Sequence, residues 1–210
     1  MDIISPKQLV SLTTFVVDHD NEQVERIYQR LTQLGLSCER ISQAPDLFTK
    51  LPLVQGGCVL MDVRLPFYSG VELQRLLQQH DPHLPIIFMG HEQDIQVAIN
   101  VLKAGAFDFL LKPLDEQLLL DVINRALRKR LEQLKKQQFL QKVQKQLKDL
   151  SNRESEVLQH VLAGLPNKKI ALQLKISSKT VEQHRANIMR KMQANSLAEL
   201  VTTVVSYNLA

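Results

Sequence analysis

Side chains able to hydrogen-bond to base edges are grouped near the C-terminus of this chain. Gln183 can pair bidentately with adenine, Glu182 can accept from the cytosine N4 amino group, and the Ala186 methyl can contact the thymine methyl. Val181, Ile188 and Met192, at spacings of seven and four, would share the opposite face of a helix and anchor it to a core. This pattern predicts a helix whose polar face reads a DNA duplex in the major groove.

Cationic side chains surround that group of residues. Lysine and arginine suit phosphates, which provide affinity and register but carry no sequence information. His184 has two interpretations, a phosphate donor or a partly buried structural histidine. The complete set of candidate DNA contacts is Lys168, Lys169, Lys179, Thr180, Glu182, Gln183, His184, Arg185, Ala186 and Arg190.

A second group of polar residues lies in the first half of the chain. Asp18, Asp62, Gly90 and Lys112 each fall at or just after a short apolar run. In an open parallel sheet, sites form at the carboxyl ends of the strands. These four residues, distant in sequence, are therefore expected to meet in one pocket.

The elements that must hold this pocket alternate in type. Amphipathic stretches with helical spacing lie at 22–34, 71–80 and 94–104. Between them, β-strands are predicted at the apolar runs 14–17, 36–41, 58–61, 86–89 and 107–110. The alternation predicts an α/β, doubly wound, five-stranded parallel sheet with helices on both faces.

The predicted reading helix needs an all-α domain around it. Ser151 with Glu154, and Ser196 with Glu199, have the spacing of capping boxes, which start helices. We predict a helix after Ser151 that ends at 164–166, a helix 168–174 capped by Asn167, a turn at 176–178, the reading helix 179–192 and a last helix 197–207. This is the arrangement of a helix-turn-helix domain.

One long helix is predicted to join the two regions. The segment 115–148 is rich in good helix formers, and neither Gly nor Pro occurs between Leu114 and Ala163. Its apolar residues recur at spacings of three and four, although Gln137 and Gln138 interrupt them. A short two-chain coiled coil is one interpretation, and a single helix packing on its own domains is the other.

Charge is distributed unevenly along the chain. Residues 1–128 contain 11 Lys and Arg against 16 Asp and Glu, whereas residues 129–210 contain 15 against 6. An acidic half joined to a basic half indicates that the second half alone meets a polyanion.

Composition disfavours several other classes of protein. No apolar run approaches the ~20 residues of a membrane helix, and the N-terminus has no signal-peptide pattern. Cys38 and Cys58 match no metal-ligand spacing and suit a reduced, cytoplasmic protein. No nucleotide-binding glycine pattern is present, so an enzyme acting on ATP or a dinucleotide is not expected.

With these residues considered, the chain resembles a two-domain bacterial response regulator of the NarL/FixJ family. The C-terminal resemblance to a LuxR-type helix-turn-helix rests on LSNRESEVL, GLPNKKIALQLKIS, KTVEQHRANIMRKM and SLAELV. The N-terminal resemblance to a receiver domain of flavodoxin-like fold rests on VVDHD, MDVRLPFYSG and KAGAFDFLLKP. Together these segments cover nearly the whole chain.

The resemblance implies a phosphorylation site in the first domain. Asp62 would be the phosphoacceptor for a sensor histidine kinase, and Mg²⁺ would be held by Asp18, Asp62 and Arg64. Lys112 would pair with the new phosphoryl group, and Phe109 stands where the family's mobile aromatic ring is found.

Two positions depart from the family pattern. His19 replaces the second of two adjacent acids after the first strand, and Gly90 replaces the Ser or Thr that holds the phosphoryl group. Two mechanisms of control follow: phosphorylation of Asp62 with altered metal dependence, or phosphorylation-independent regulation. A protein-binding adaptor whose basic domain is incidental is a further alternative.

The expected protein is a cytoplasmic transcriptional regulator rather than an enzyme. We expect a receiver domain at 1–128, a linker helix at 129–148 and a DNA-binding domain at 149–210. Its expected partners are a double-stranded DNA operator, a sensor histidine kinase, a second copy of the chain and, in activation, RNA polymerase; no membrane is expected.

Overall fold

The computed structural model describes residues 12–43, 45–51, 56–66 and 68–206. The chain divides into two compact units, Met1–Lys135 and Lys136–Ala210. Residues 1–11 of the predicted first domain lie outside the described part.

The first unit contains a five-stranded sheet in which every neighbouring pair is parallel. A separate antiparallel pair, β4 with β5, follows the third strand. The strands are β1 (Thr13–Val17), β2 (Ser37–Ile41), β3 (Gly57–Asp62), β4 (Arg64–Leu65), β5 (Tyr68–Ser69), β6 (Ile86–Gly90) and β7 (Asp108–Leu111). The spatial order of the sheet is β2-β1-β3-β6-β7.

Helices connect the strands. Asp20 caps the first of them by accepting from the backbone N–H groups of Glu22 and Gln23, and Ser69 caps the third. The helices are α1 (Asn21–Gln33), α2 (Asp46–Lys50), α3 (Gly70–His80), α4 (Ile95–Lys103) and α5 (Glu116–Lys148), with a 3₁₀ turn at Glu92–Asp94.

Both faces of the sheet are buried, because side chains alternate along each strand. Val16 and Leu60 pack with residues of α1 and α5, including Leu31. Phe15 and Val59 belong to a separate cluster with residues of α2, α3 and α4. The doubly wound α/β fold predicted from the sequence is confirmed.

The five predicted strands are confirmed, and three details differ. The predicted helix at 94–104 begins at Ile95, because Asp94 lies in the 3₁₀ turn. Helix α2 and the β4–β5 pair were not predicted. With five residues in α2 and two in each strand, these elements are too short to show a periodicity.

Helix α5 is continuous, and its apolar residues pack within the two units. Leu127 is buried against the sheet, with Leu131 and Leu134 packed beside it. Val143 is buried in the core of the second unit, with Leu147 packed against that core. Most of the predicted coiled-coil stripe is therefore already covered within the chain, as the single-helix interpretation requires.

The second unit is all helical, as predicted. It contains the end of α5 and the helices α6 (Asn152–Leu162), α7 (Asn167–Leu174), α8 (Ser178–Met192) and α9 (Leu197–Ser206). The Ser151–Glu154 capping box is present. Glu199, by contrast, accepts from the N–H of Asn195, so the second predicted box is only half formed. Residue 207, the predicted end of the last helix, lies outside the described residues.

Among the described residues, no helix combines the length and apolarity needed to cross a membrane.

Candidate functional site

Three charged side chains meet at the carboxyl edge of the sheet. Asp18 follows β1, Asp62 ends β3 and Lys112 follows β7. Lys112 Nζ donates to Asp18 Oδ2 at 2.7 Å and also to Asp62 Oδ2. Only 0%, 4% and 6% of the side chains of Asp18, Asp62 and Lys112 are exposed. The structure thus brings together three of the four residues expected to meet at the strand ends: Asp18, Asp62 and Lys112.

The surroundings of Lys112 favour its charged form. Burial alone would lower the pKa of this ammonium group, because it loses hydration. The hydrogen bonds to Asp18 and Asp62, together with their charges, outweigh that effect and raise the pKa above 10.5. One ammonium group therefore faces two carboxyl groups, an arrangement that favours a further cation.

The donor atoms of this pocket fit a divalent cation in part. Ligand atoms of Asp18, His19 and Asp62 lie within 4.8 Å of one another. The two carboxylates supply the hard oxygen donors that Mg²⁺ prefers, whereas an imidazole nitrogen is a poor substitute for a third. His19 Nδ1 lies 3.3 Å from Asp18 Oδ1, and 57% of the His19 side chain is exposed.

Asp20 does not replace the missing acid. Its carboxylate caps α1, and the hydrogen bond from the Gln23 N–H leads the effects that lower its pKa. Its side chain is absent from the group of converging ligand atoms found among the described residues.

The Arg64 side chain forms an ion pair with Asp94. Its guanidinium contacts Asp94 Oδ1 at 2.6 Å, and its backbone N–H donates to Asp62 Oδ1 at 2.5 Å. A guanidinium is a cation and cannot bind Mg²⁺. The metal role expected for Arg64 is therefore restricted to its backbone carbonyl.

Gly90 leaves a space that its neighbours fill. A Cβ atom placed on Gly90 would lie 2.8 Å from Phe109 Cζ, 2.8 Å from Val63 Cγ1 and 3.2 Å from Asp94 Oδ2. The Phe109 ring packs with the core cluster on that face of the sheet. The Phe109 ring is therefore directed towards the core. Because residue 90 is a glycine, it supplies no hydroxyl group beside Asp62.

Helix α8, the predicted reading helix, has one buried and one exposed face. Ser177 caps it by accepting from the N–H of Thr180. Val181, Ile188 and Met192 are buried, as predicted. Six of the candidate DNA contacts on this helix are exposed: Lys179, Thr180, Glu182, Gln183, Ala186 and Arg190. Lys168 and Lys169 on α7 are exposed as well.

Two candidate DNA contacts are partly buried. Arg185 Nη1 donates to Asn167 Oδ1 at 2.7 Å. The expected capping role of Asn167 is wrong: Pro166 occupies the N-cap position, and no side chain caps α7. The Nδ1 atom of His184 is buried without a hydrogen-bond partner among the described residues, so a phosphate contact by His184 would use Nε2.

Two residues that hold candidate site side chains were not identified from the sequence. Asp94 is 3% exposed and orients Arg64 beside the acidic pocket. Asn167 orients Arg185 on the reading helix. Both are polar residues directly beside a predicted helix start, where a capping role is the simpler expectation.

Two family models match the chain. The response regulator receiver domain matches residues 14–124, and the model described as bacterial regulatory proteins, luxR family, matches residues 148–204. The first model ends before the last turns of α5 that pack on the sheet.

Individual relatives match over most of their length. Response regulator protein TodT of Pseudomonas putida is 38% identical over 187 residues, which is 89% of this chain and 82% of TodT. Transcriptional regulatory protein FixJ of Bradyrhizobium diazoefficiens is 36% identical over 187 residues, or 89% of this chain and 91% of FixJ.

Solved structures agree with these matches. Response regulator StyR superposes with a TM-score of 0.85 and 37% identity, covering 94% of this chain and 100% of StyR. Full-length FixJ from B. japonicum superposes with a TM-score of 0.57 and 34% identity, covering 96% and 99%.

Proposed function

The chain belongs to the NarL/FixJ family of response regulators, transcriptional regulators of two-component systems, and we propose that phosphorylation of Asp62 by a sensor histidine kinase controls its binding to DNA. One observation carries this proposal. A single buried ammonium group, that of Lys112, bridges Asp18 and Asp62 at the sheet edge. This is the arrangement needed to accept a phosphoryl group on one carboxylate and neutralise it with the lysine.

The transfer exchanges one bond for another. The N–P bond of a phosphohistidine breaks, an O–P bond forms at a carboxylate oxygen of Asp62, and the electron pair returns to the kinase imidazole. Lys112, already bonded to Asp62 Oδ2, is placed to pair with a phosphoryl oxygen. Asp18 and Asp62, with the carbonyl of Arg64, would hold Mg²⁺, which offsets negative charge on the phosphoryl oxygens when bound.

Intact-mass spectrometry after incubation with acetyl phosphate and Mg²⁺ tests this chemistry. We expect a phosphoryl adduct on the parent protein and none on Asp62→Ala. A His19→Asp variant serves as the control, because it restores the second acid of the family pattern. An adduct on that control but not on the parent would contradict phosphorylation of Asp62.

A second candidate function is regulation without phosphate. Two features favour it: His19 stands where a metal-binding acid is usual, and Phe109 and Val63 fill the space above Gly90. In this version the receiver is a fixed module, and DNA binding is independent of Asp62. The mass experiment separates the two versions, since only the first yields an adduct.

We assign DNA binding to the second unit. Residues 149–210 form the DNA-binding domain, residues 1–128 the receiver and residues 129–148 the linker. The exposed residues Gln183 and Glu182 on α8 support base readout, and the exposed Lys168, Lys169 and Arg190 support phosphate contacts.

We also assign self-association to the receiver rather than to the linker part of α5 at 129–148. Ile95, Ile99 and Leu102 are 56%, 40% and 43% exposed, and spacings of four and three place them on one face of α4. Leu111 on β7 and Leu118 on α5 are similarly exposed, at 47% and 50%. Exposed apolar residues grouped on one face are typical of association surfaces.

Sedimentation velocity tests this surface. Ile95→Asp with Ile99→Asp should prevent dimerisation of protein treated with acetyl phosphate, because it places charge in an apolar contact. Asn100→Asp adds one such charge to a different side of α4 and should leave dimers intact. Equal dimerisation of both variants would exclude this face.

A further inference from the structure

A cleft of about 470 Å³ lies beside the acidic pocket. It is lined by one side of α1, by residues that follow β1, β6 and β7, and by the start of α5. Its volume falls within the ~300–1,000 Å³ range of small-molecule sites. The cleft shares no lining residue with the exposed face of α4.

The floor of the cleft is apolar. Ile27 of α1 and Leu119 of α5 are 4% and 3% exposed, and both line the cleft. Pro113 and Leu114 continue this surface towards Lys112. An apolar floor of this kind favours a ligand with a hydrocarbon body.

Two arginines stand one helical turn apart above this floor. Arg26 and Arg30 are at i and i+4 on α1, so their side chains are neighbours of like charge. Glu116 Oε2 lies 3.1 Å from Arg30 Nε and neutralises that residue. The Arg26 side chain, within the described part of the chain, makes neither a hydrogen bond nor an ion pair, and its charge contributes to lowering the pKa of Asp20.

The remaining charged groups leave room for an anion. Of the two acids that line the cleft, Glu116 pairs with Arg30, and the Asp20 carboxylate already accepts the Glu22 and Gln23 N–H groups at the start of α1. His19 and His91 line the mouth of the cleft and provide further donors. Among the described residues, Arg26 would therefore supply a bound anion with a charged donor that no ion pair occupies.

We propose that this cleft binds a small organic anion, with its carboxylate between Arg26 and Arg30 and its hydrocarbon body over Ile27 and Leu119. His19 and Lys112 belong both to the cleft and to the acidic pocket, so a bound ligand would border Asp62. Through this site a small-molecule ligand regulates the receiver without a kinase. Binding is a property of the unphosphorylated protein.

Octanoate is a suitable probe, because it combines one carboxylate with a hydrocarbon chain that fits the cleft. Nuclear magnetic resonance of the full-length protein would follow the backbone amides of Ile27 and Leu119 during titration to about 10 mM, a range suited to a ligand of this size. We expect saturable shifts of both amides. Octanamide, the neutral counterpart, should bind about tenfold more weakly or worse.

Matched arginine variants assign the contact. Arg26→Gln with Arg30→Gln should weaken octanoate binding about tenfold or more, whereas Arg75→Gln, at an exposed arginine of α3 outside the cleft, should leave it unchanged. Arg26→Gln alone, at an exposed position, leaves the Arg30–Glu116 ion pair intact. It should also weaken octanoate binding, which shows that loss of that ion pair is not the cause. The proposal is overturned by equal binding of octanoate and octanamide, by equal binding to the cleft and Arg75 variants, or by no saturable shift.

Discussion

Phe109 closes over Gly90, and its Cζ atom would lie 2.8 Å from a Cβ at that position. Val63 Cγ1 would be equally close, so two side chains have packed into the space that a larger residue would need. The departure from the family pattern at position 90 is therefore a change in packing as well as the loss of a hydroxyl. Restoring the hydroxyl requires Phe109 to move.

We expect Gly90→Thr to destabilise the protein by about 1–3 kcal/mol, the usual cost of overpacking. In a Phe109→Ala background the cost of Gly90→Thr should be smaller by at least about 1 kcal/mol, because the two positions share one space. Thermal unfolding of both single variants and the double variant measures the coupling. A Gly90→Thr protein as stable as the parent would contradict the packing described here.

Glu154 makes acid-sensitive contacts in the second unit. Its carboxylate binds Lys191 Nζ at 2.6 Å and the N–H of Ser151 at 2.8 Å. The Lys191 hydrogen bond, followed by that of Ser151, lowers the pKa of Glu154 from 4.5 to about 2. Because the folded pKa is the lower one, this contact stabilises the fold fully above about pH 4.5 and loses its effect as the pH falls towards 2.

Glu154→Gln should therefore destabilise α6 at pH 7, and the difference from the parent should shrink on going to pH 3. Hydrogen exchange of the α6 amides in both proteins measures this difference locally. Glu156→Gln is the control, since that exposed glutamate forms an ion pair, among the described residues, with Arg153 across one helical turn. A pH-independent difference for Glu154→Gln would exclude the proposed linkage.

Gln193 ends α8 with a φ of 53°, a left-handed conformation that costs non-glycine residues energy. Gln193→Gly should stabilise the second unit by about 0.5–1 kcal/mol. Gln159→Gly changes an equally exposed glutamine inside α6 and should destabilise by about 1 kcal/mol. Thermal unfolding of the two variants should give shifts of opposite sign, and shifts of the same sign would contradict the prediction.

Base contacts and phosphate contacts should respond differently to mutation. Gln183→Ala should reduce discrimination by about 1–3 kcal/mol at one or two base pairs, whereas Lys168→Ala should weaken binding to all duplexes similarly. Affinities for duplexes with single base changes, each measured at several salt concentrations, separate these effects. Lys168→Ala should also reduce the salt slope by about one. If Gln183→Ala weakens binding to all duplexes equally, Gln183 does not contribute to base readout.

The sequence predicted where helices, strands and candidate site residues lie along the chain better than it predicted the contacts between side chains. Asp18, Asp62 and Lys112 could be expected to meet, because each follows a strand and parallel strands end at one edge. The inward position of Phe109 and the Asn167–Arg185 hydrogen bond could not, because they depend on rotamers and on packing between helices. Periodicity likewise revealed the apolar stripe of α5 but not which core covers it.

The central claim is that the chemical state of Asp62 sets the affinity for DNA. The direct measurement is fluorescence anisotropy with a duplex selected from a random library by the protein itself, with and without acetyl phosphate and Mg²⁺. We predict that the phosphodonor tightens binding of the parent by about 5- to 150-fold, the usual range of coupling between sites, and leaves Asp62→Ala unchanged. The same affinity for the parent in both conditions, or an equal gain for Asp62→Ala, would contradict the account.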